Sequence, residues 1–405
     1  MGGGSNLAAL AVRFSKSSDQ YHLTVKNYDS LTELYNALLA KEAIDIIDLS
    51  GVDVEKLSKQ GVFADLTPYL EQSEVVGPSD FLEGILDTYT FDGTLVGIPE
   101  GFTLLTVVGD QTLPGGDAGL SLDGMLAAVG RNPGALPFDE MTKEEMLQYI
   151  MMFNEETFID WDTGQCHFDS EQFRAVLELC RCLPDGDMSN RQSSYESEVS
   201  LPVKIQNGEV LFAIADLYYI DTYQLYEGIF GENAACLGFP TPDGSGGTLL
   251  FPYDAYGIVA TSEHKSGAWE VIEDVLTQVD VDRMEKEEVR VAYIFPSSRF
   301  PALKKTLDIL IEYRKETDSQ TPDDRYPSRI YDDGWRFQYH AITQDDIDVI
   351  TDLLKEATPA FSVENDDIIN IINEEAAAYY SGQKNVEDVV KIIQNRVQLY
   401  VSENS

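Results

Sequence analysis

The chain has no long hydrophobic run, few basic residues and only four cysteines in 405 positions, and each scarcity removes a class of explanation. No apolar stretch approaches the roughly 20 residues that cross a bilayer as a helix. Lys and Arg number 28 against 71 Asp and Glu, a formal net charge of −43. Such a field repels phosphate backbones and anionic lipid, so neither nucleic acid nor a membrane surface is expected as a partner. The cysteines, Cys166, Cys180, Cys182 and Cys236, lack zinc-ligand spacing. Cys180 and Cys182 lie two apart on a helical pattern and point to different faces. They read as small buried thiols, with a disulfide from Cys166 to the Cys180 region left open. None of the four histidines belongs to an His-x-x-x-His pair, and there is no G-x-S-x-G elbow, P-loop or complete G-x-G-x-x-G. Asp345-Asp346-Ile347-Asp348 lacks the glycine turn and closing glutamate of a calcium loop, and fits the acidic first turn of a helix beginning at Thr343. No catalytic residue, metal site or cofactor is assigned.

What is present describes a folded body. Hydrophobic residues make up 43%, charged residues 24% and aromatics 10%, including 21 Tyr, too many for an acidic disordered tail. A chain of this length exceeds one compact core, so two lobes are expected. Its first six residues carry neither the basic nor the apolar region of a signal peptide, and Gly2-Gly3-Gly4-Ser5 has the composition of a linker.

Helical and extended patterns alternate early. Leu7, Leu10, Ala11 and Phe14 share a helical face, residues 21–25 read as a strand, residues 31–39 as a helix, 44–49 as a short apolar strand and 54–60 as a helix stopped by Gly61. This alternation predicts parallel βαβ units. Asp92-Gly93 between apolar runs signals a hairpin. Thr142-Lys143-Glu144-Glu145 is a capping box, and a similar start at residues 169–172 opens the helix carrying Phe173, Val176, Leu177 and Cys180 inward. Strand character returns at 210–214 and 255–260. Ser266 is the expected cap of a helix bearing Trp269, Ile272, Val275 and Leu276. The last third reads as mostly helical, with Gly382 as a stop and Asn385 as a cap.

Several segments carry a family pattern in a fixed order. They are helix and strand at 6–28; Ile44-Asp45-Ile46-Ile47-Asp48-Leu49; Gly61-Val62-Phe63-Ala64-Asp65-Leu66-Thr67-Pro68-Tyr69-Leu70; Asp92-Gly93-Thr94-Leu95-Val96-Gly97-Ile98-Pro99; Tyr256-Gly257-Ile258-Val259-Ala260; Ala268-Trp269-Glu270-Val271-Ile272; and residues 379–403. Together they resemble the family 1 extracellular solute-binding proteins of bacterial ABC importers, including the maltodextrin- and oligosaccharide-binding group. The chain departs from the pattern at Ala43-Ile44, where a small residue and proline are usual, and at Leu49, where sugar-binding relatives often carry a large aromatic. The resemblance implies a two-lobed α/β fold of the periplasmic-binding-protein type II class, its lobes joined by crossover strands. Residues 1–105 with 257–305 would form one lobe, and 106–256 with 306–405 the other. It further implies a monomer that captures a polar solute, most simply an oligosaccharide, in a cleft that closes on it and presents it to a membrane permease. The protein would lie outside the cell, lipid-anchored through a cysteine that this chain does not contain, so Met1 is read as a trimmed or misplaced start. Alternatives on the same fold are a peptide, amino acid or other small solute, and, more distantly, a thiaminase-like enzyme with a cysteine nucleophile.

In such folds ligands sit beyond the carboxyl ends of sheet strands. That placement nominates Ser5, Tyr28, Ser50, Glu100 and Phe102 on the first lobe, and Asp216, Tyr218, Tyr219, Asp254 and Tyr256 on or near the second. Aromatic faces cover the C–H side of a pyranose, while carboxylates accept hydroxyl protons.

Overall fold

The computed structural model describes residues 7–114, 120–139, 141–161, 163–185, 199–241, 243–277, 299–360 and 366–404. In chain order the helices are α1 (Leu7–Ser17), α2 (Leu31–Leu39), α3 (Val54–Lys59), α4 (Thr67–Gln72), α5 (Leu122–Arg131), α6 (Lys143–Phe158), α7 (Glu171–Arg181), α8 (Leu201–Gln206), α9 (Thr222–Phe230), α10 (Lys265–Leu276), α11 (Lys304–Gln320), α12 (Gln344–Glu356), α13 (Asp366–Tyr380) and α14 (Val386–Asn404). The strands are β1 (Ile46–Asp48), β2 (Thr90–Phe91), β3 (Thr94–Leu95), β4 (Ile98–Asp110), β5 (Ile159–Asp160), β6 (Gln165–Cys166), β7 (Phe212–Leu217), β8 (Ala234–Cys236), β9 (Leu249–Ile258), β10 (Phe300–Pro301), β11 (Ser328–Ile330), β12 (Arg336–Gln338) and β13 (Thr358–Pro359). Among the described residues no helix is long and apolar enough to cross a membrane. The chain divides into two compact units, Met1–Thr103 with Leu250–Thr321, and Leu104–Leu249 with Pro322–Ser405. It passes from the first unit to the second within β4, returns within β9 and crosses again after α11. The architecture is mixed α/β.

The first unit is built around β1, β9 and the first half of β4. Leu34, Ile47, Leu49, Val54, Leu57, Phe63, Val96, Ala255 and Val259 form its core. Local signals set the elements: Ser30 Oγ accepts the Glu33 amide at the start of α2, and Asp53 does the same for Lys56 in α3. Asp92 and Gly93 turn the β2–β3 hairpin with φ of 49° and 75°, the left-handed pair that a two-residue hairpin needs. Close backbone approach fixes a second glycine. A Cβ on Gly101 would sit 2.5 Å from the Phe300 carbonyl oxygen, so the β4–β10 ladder, Phe300 to Phe102 and Pro301 to Gly101, requires its absence. Arg13 of α1 pairs with Asp274 of α10 at 2.7 Å.

The second unit takes the other half of β4, which pairs with β7 from Leu104–Leu217 to Gly109–Phe212 and with β8 from Val108–Cys236 to Asp110–Ala234. Phe158, Phe168 and Phe173 pack with ring centroids 4.8 to 5.7 Å apart and are fully buried. Two glutamines one turn apart on α14 act as a substitute strand for the β6 region. Gln394 accepts the Phe168 amide (2.6 Å) and donates to Cys166 O (2.8 Å); Gln398 accepts the Cys166 amide (3.0 Å) and donates to Gly164 O (2.6 Å). The capping box at Thr142–Glu145 forms, as does a second at Thr343–Asp346. Asn385 Oδ1 accepts the Asp388 amide at 2.8 Å.

Several sequence expectations change. The pairings of β1–β9, β4–β10, β4–β7 and β4–β8 are all antiparallel, not the parallel units that alternation suggested. Residues 21–25 alternate half-buried and exposed side chains but form no strand. Tyr21 lies instead against Gly267 of α10, where an added Cβ would approach its ring to 2.7 Å, and the Leu23 amide donates to Ser15 Oγ (3.1 Å). α10 begins two residues earlier than expected, with His264 and not Ser266 at its cap. The units divide at Thr103–Leu104, Leu249–Leu250 and Thr321–Pro322, where 105/106, 256/257 and 305/306 were expected; at the start of α11 Lys304 donates to Ser79 O at 3.0 Å.

Candidate functional site

In the second unit, polar and aromatic groups collect where β7 runs into α9. Asp216, opposite Leu105 in the ladder, is exposed, and Leu217 beside it is buried, as the pleat requires. Tyr218 and Tyr219 follow, half-buried, with their rings edge to face at 4.9 Å. The Tyr219 amide donates to Thr222 Oγ1 (3.0 Å), fixing the turn into α9, and Tyr226 donates its hydroxyl proton to Ile214 O (3.3 Å). Burial raises the pKa of Tyr218, with the Asp216 carboxylate adding to the rise and Arg329 opposing it. Burial, then Asp216 and Tyr218, act in the same direction on Tyr226. Tyr149 of α6 is raised by burial, then by Glu145 and Asp216. These phenols are neutral at physiological pH; Tyr218 and Tyr149 can each donate and accept, whereas Tyr226 has committed its proton to Ile214 O, an arrangement that suits a hydroxyl-rich ligand better than proton abstraction.

A β-ribbon completes this cluster. β11 and β12 pair with Arg329 opposite Phe337, around a turn in which Tyr331 N donates to Trp335 O (3.0 Å) and Gly334 takes φ of 90°. Arg329, Tyr331, Trp335, Phe337 and Tyr339 are half-buried, while Ser328, Ile330, Arg336 and Gln338 are exposed. One face of the ribbon is therefore aromatic. Phe337 fills the space of a missing side chain on α9: a Cβ on Gly228 would lie 2.3 Å from its ring. One turn earlier, fully buried Gln224 accepts the His340 amide (3.2 Å) and donates to Asp346 (3.2 Å). At the turn, Asp333 accepts the amides of Ser200 (2.8 Å) and Trp335 (3.1 Å). Arg329 stacks over Tyr331 at 5.1 Å and hydrogen-bonds Tyr339.

The first unit carries a smaller set. Ser50 donates through its hydroxyl (2.6 Å) and its amide (3.0 Å) to Asp48 Oδ1. Asp254, held in the left-handed region at φ 47°, pairs with Arg299 at 3.7 Å, whose guanidinium lies 3.3 Å over the Tyr253 ring. Burial pushes the Asp254 carboxyl up, against the pull of Arg299. It also raises the Tyr89 hydroxyl, with Asp48 and Asp254 adding to the effect.

The nominated residues thus separate. Asp216, Tyr218 and Tyr219 come together in the second unit. Ser50 and Asp254 lie in the first unit with Asp48, Tyr89 and Arg299, where the sequence reading put Asp254 on the second lobe. Tyr28 packs on the first-unit core beneath Lys26, 4.6 Å from its ring. Glu100 is half-buried in β4. Two nominated side chains are buried. Phe102 has no exposed surface and stacks on Phe300 at 5.4 Å, and Tyr256, 4% exposed, points into the core beside β1 and belongs to the first unit. Ser5 lies outside the described residues. Sequence reasoning missed Tyr89, Tyr149, Tyr226, Arg299, Arg329, Tyr331, Trp335 and Tyr339. Alternating aromatics around Asp332-Asp333-Gly334 were the available signal for the last group.

No protein-family model matches the chain, and no curated protein matches it significantly. Its fold is that of solved two-lobed solute-binding proteins. The sugar-binding protein MalE of Xanthomonas citri is 17% identical, with a TM-score of 0.63 over 98% of this chain and 94% of that one. A periplasmic oligogalacturonide-binding protein of Yersinia enterocolitica is 14% identical, TM-score 0.62, over 99% and 97%. A cyclic α-maltosyl-1,6-maltose-binding protein of Arthrobacter globiformis is 15% identical, TM-score 0.60, over 100% and 97%.

Proposed function

We propose that this protein captures a saccharide outside the cytoplasmic membrane and hands it to an ABC-importer permease, without chemical change. The observation that carries the reading is the second-unit cluster: Tyr218 and Tyr219 just after β7 and the aromatic face of the β11–β12 ribbon, beside Asp216, neutral tyrosine hydroxyls and Asp221, the cap residue of α9 whose charge acts on Tyr218 and Tyr339. Stacking surface beside hydroxyl-matching groups is what a pyranose requires. The fold supports it, since solved proteins of this architecture are described as sugar-binding. The thiol chemistry of the enzyme alternative has no support from the cysteines. Burial pushes Cys180 up to about 12, and burial with Glu227 does the same to Cys236, so both are protonated and poor nucleophiles at neutral pH.

A thermal-shift panel of mono- and oligosaccharides, peptides and amino acids tests the reading. A bound saccharide at a hundred times its Kd should stabilise the protein by about 2.7 kcal/mol and raise its Tm, while peptides and amino acids leave it unmoved. A shift caused by a peptide or amino acid and by no saccharide would move the assignment to the alternative solute.

A further inference from the structure

We propose that Asp254 and Arg299 form a charged clasp that holds the crossover strand β9 in a strained kink, a conformational device kept at a cost to stability.

The backbone marks the position. Among the described residues, three that are not glycine take left-handed backbone: Lys41, Asp92 and Asp254. Lys41 follows α2 and Asp92 turns the β2–β3 hairpin, where such a conformation is ordinary. Asp254, at φ 47°, lies inside β9. Side-chain burial along β9 does not alternate: Phe251 to Asp254 are half-buried, and Ala255 to Ile258 are buried. A left-handed residue within a strand kinks it as a β-bulge does, and in a residue other than glycine that conformation is strained. β9 is also the strand in which the chain returns to the first unit, at Leu249–Leu250.

Arg299 holds the kink from outside. Next to it, Phe300 and Pro301 pair with Phe102 and Gly101, and the Ala302 amide donates to Glu100 O (2.9 Å), so its backbone is fixed on β4. Its guanidinium lies 3.3 Å over the Tyr253 ring and 3.7 Å from the Asp254 carboxylate, touching two consecutive residues of β9. The contact to Asp254 is an ion pair beyond hydrogen-bond distance. Asp254 and Arg299 are only 13% and 24% exposed. A pair so desolvated, without hydrogen bonds between its partners, does not recover the free energy of leaving water.

The titratable and charged groups facing Asp254 are Arg299 ahead of β10, Asp48 of β1 and Tyr89 ahead of β2. Burial raises the Asp254 carboxyl, Arg299 opposing the rise and Asp48 adding to it. A carboxyl raised in the folded state binds protons more tightly there than in the unfolded chain. Its ionisation therefore weakens the fold as pH rises from the ordinary Asp range through the raised value, and the loss is complete above it.

Urea denaturation of the full chain between pH 5 and 8 tests the clasp in the wild type, Asp254→Asn, Asp254→Gly, Arg299→Met and the double variant Asp254→Asn/Arg299→Met. Asparagine tolerates left-handed backbone and removes only the charge, so Asp254→Asn should raise the midpoint at pH 8, with the gain shrinking as pH falls. Glycine also removes the strain, so Asp254→Gly should be at least as stable as Asp254→Asn, although glycine loosens the unfolded chain. Arg299→Met should lower the midpoint at pH 8, because the carboxylate loses its counter-charge, and the double variant should recover it. Hydrogen exchange reads the kink itself. The Leu49 amide donates to Ala255 O (2.8 Å) beside Asp254, and the Val259 amide to Asp45 O (3.0 Å) at the far end of the β1–β9 pairing. Arg299→Met should lower protection at Leu49 and leave Val259 close to wild type. An Asp254→Asn variant with a lower midpoint at pH 8 makes the pair an ordinary stabilising salt bridge and overturns the proposal. Equal changes at Leu49 and Val259 overturn the clasp, and Asp254→Gly less stable than Asp254→Asn overturns the strain. The two Asp254 variants keep Arg299 in place and decide the matter if Arg299→Met does not fold.

Discussion

Replacing Phe102 with alanine should cost the first unit about 3–5 kcal/mol. Phe102 has no exposed surface, stacks on Phe300, and lies where β10 closes on β4 across Gly101. Little in its surroundings can collapse into the space, because the Gly101–Phe300 approach is already at backbone contact. Denaturation followed by circular dichroism should show the loss, and the emission of Trp269, buried in the same unit, should report it earlier than the ribbon tryptophan does. Saccharide affinity in the fraction that remains folded should be unchanged. A variant with wild-type stability and lost binding would restore Phe102 to the ligand, as strand-end position alone suggests.

Gly228→Ala is expected to destabilise the second unit by about 1–3 kcal/mol and to weaken saccharide binding about tenfold, although it removes no binding group. The added methyl would come within 2.5 Å of two Phe337 ring carbons, so the ring must move and the ribbon with it. Helix propensity works the other way, favouring alanine by about 1 kcal/mol. Gly130→Ala in α5 isolates that term, because nothing lies within 4 Å of a Cβ there. It should be neutral to stabilising, with affinity unchanged. If Gly228→Ala behaves like Gly130→Ala in both readouts, the ribbon is not seated as described.

Much of the fold was readable because its determinants are local. Asp92-Gly93 had to turn a hairpin, and Thr142, Thr343 and Asn385 had to cap helices, whatever packed around them. Strand direction was not readable, since β9 is antiparallel to β1 for reasons that lie two hundred residues apart. The same division holds at the site. Asp216, Tyr218 and Tyr219 follow from the end of an apolar strand. Strand-end reasoning does not say which way a side chain leaves the pleat, and so it nominated Phe102 and Tyr256, which point inward, alongside Asp254, whose left-handed backbone turns it toward Arg299. Trp335 could have been noticed from the alternation on either side of Asp332-Asp333-Gly334. Its setting could not, because that depends on Gly228 and Gln224, one turn apart on a helix a hundred residues earlier.

The most direct measurement is calorimetric titration of the wild-type protein with the best saccharide of the panel, followed by chromatographic recovery of the sugar after prolonged incubation. One-to-one saturable binding with the saccharide recovered unchanged is the expected result. Conversion of the sugar, or the absence of saturable binding by any saccharide, would contradict capture without chemistry.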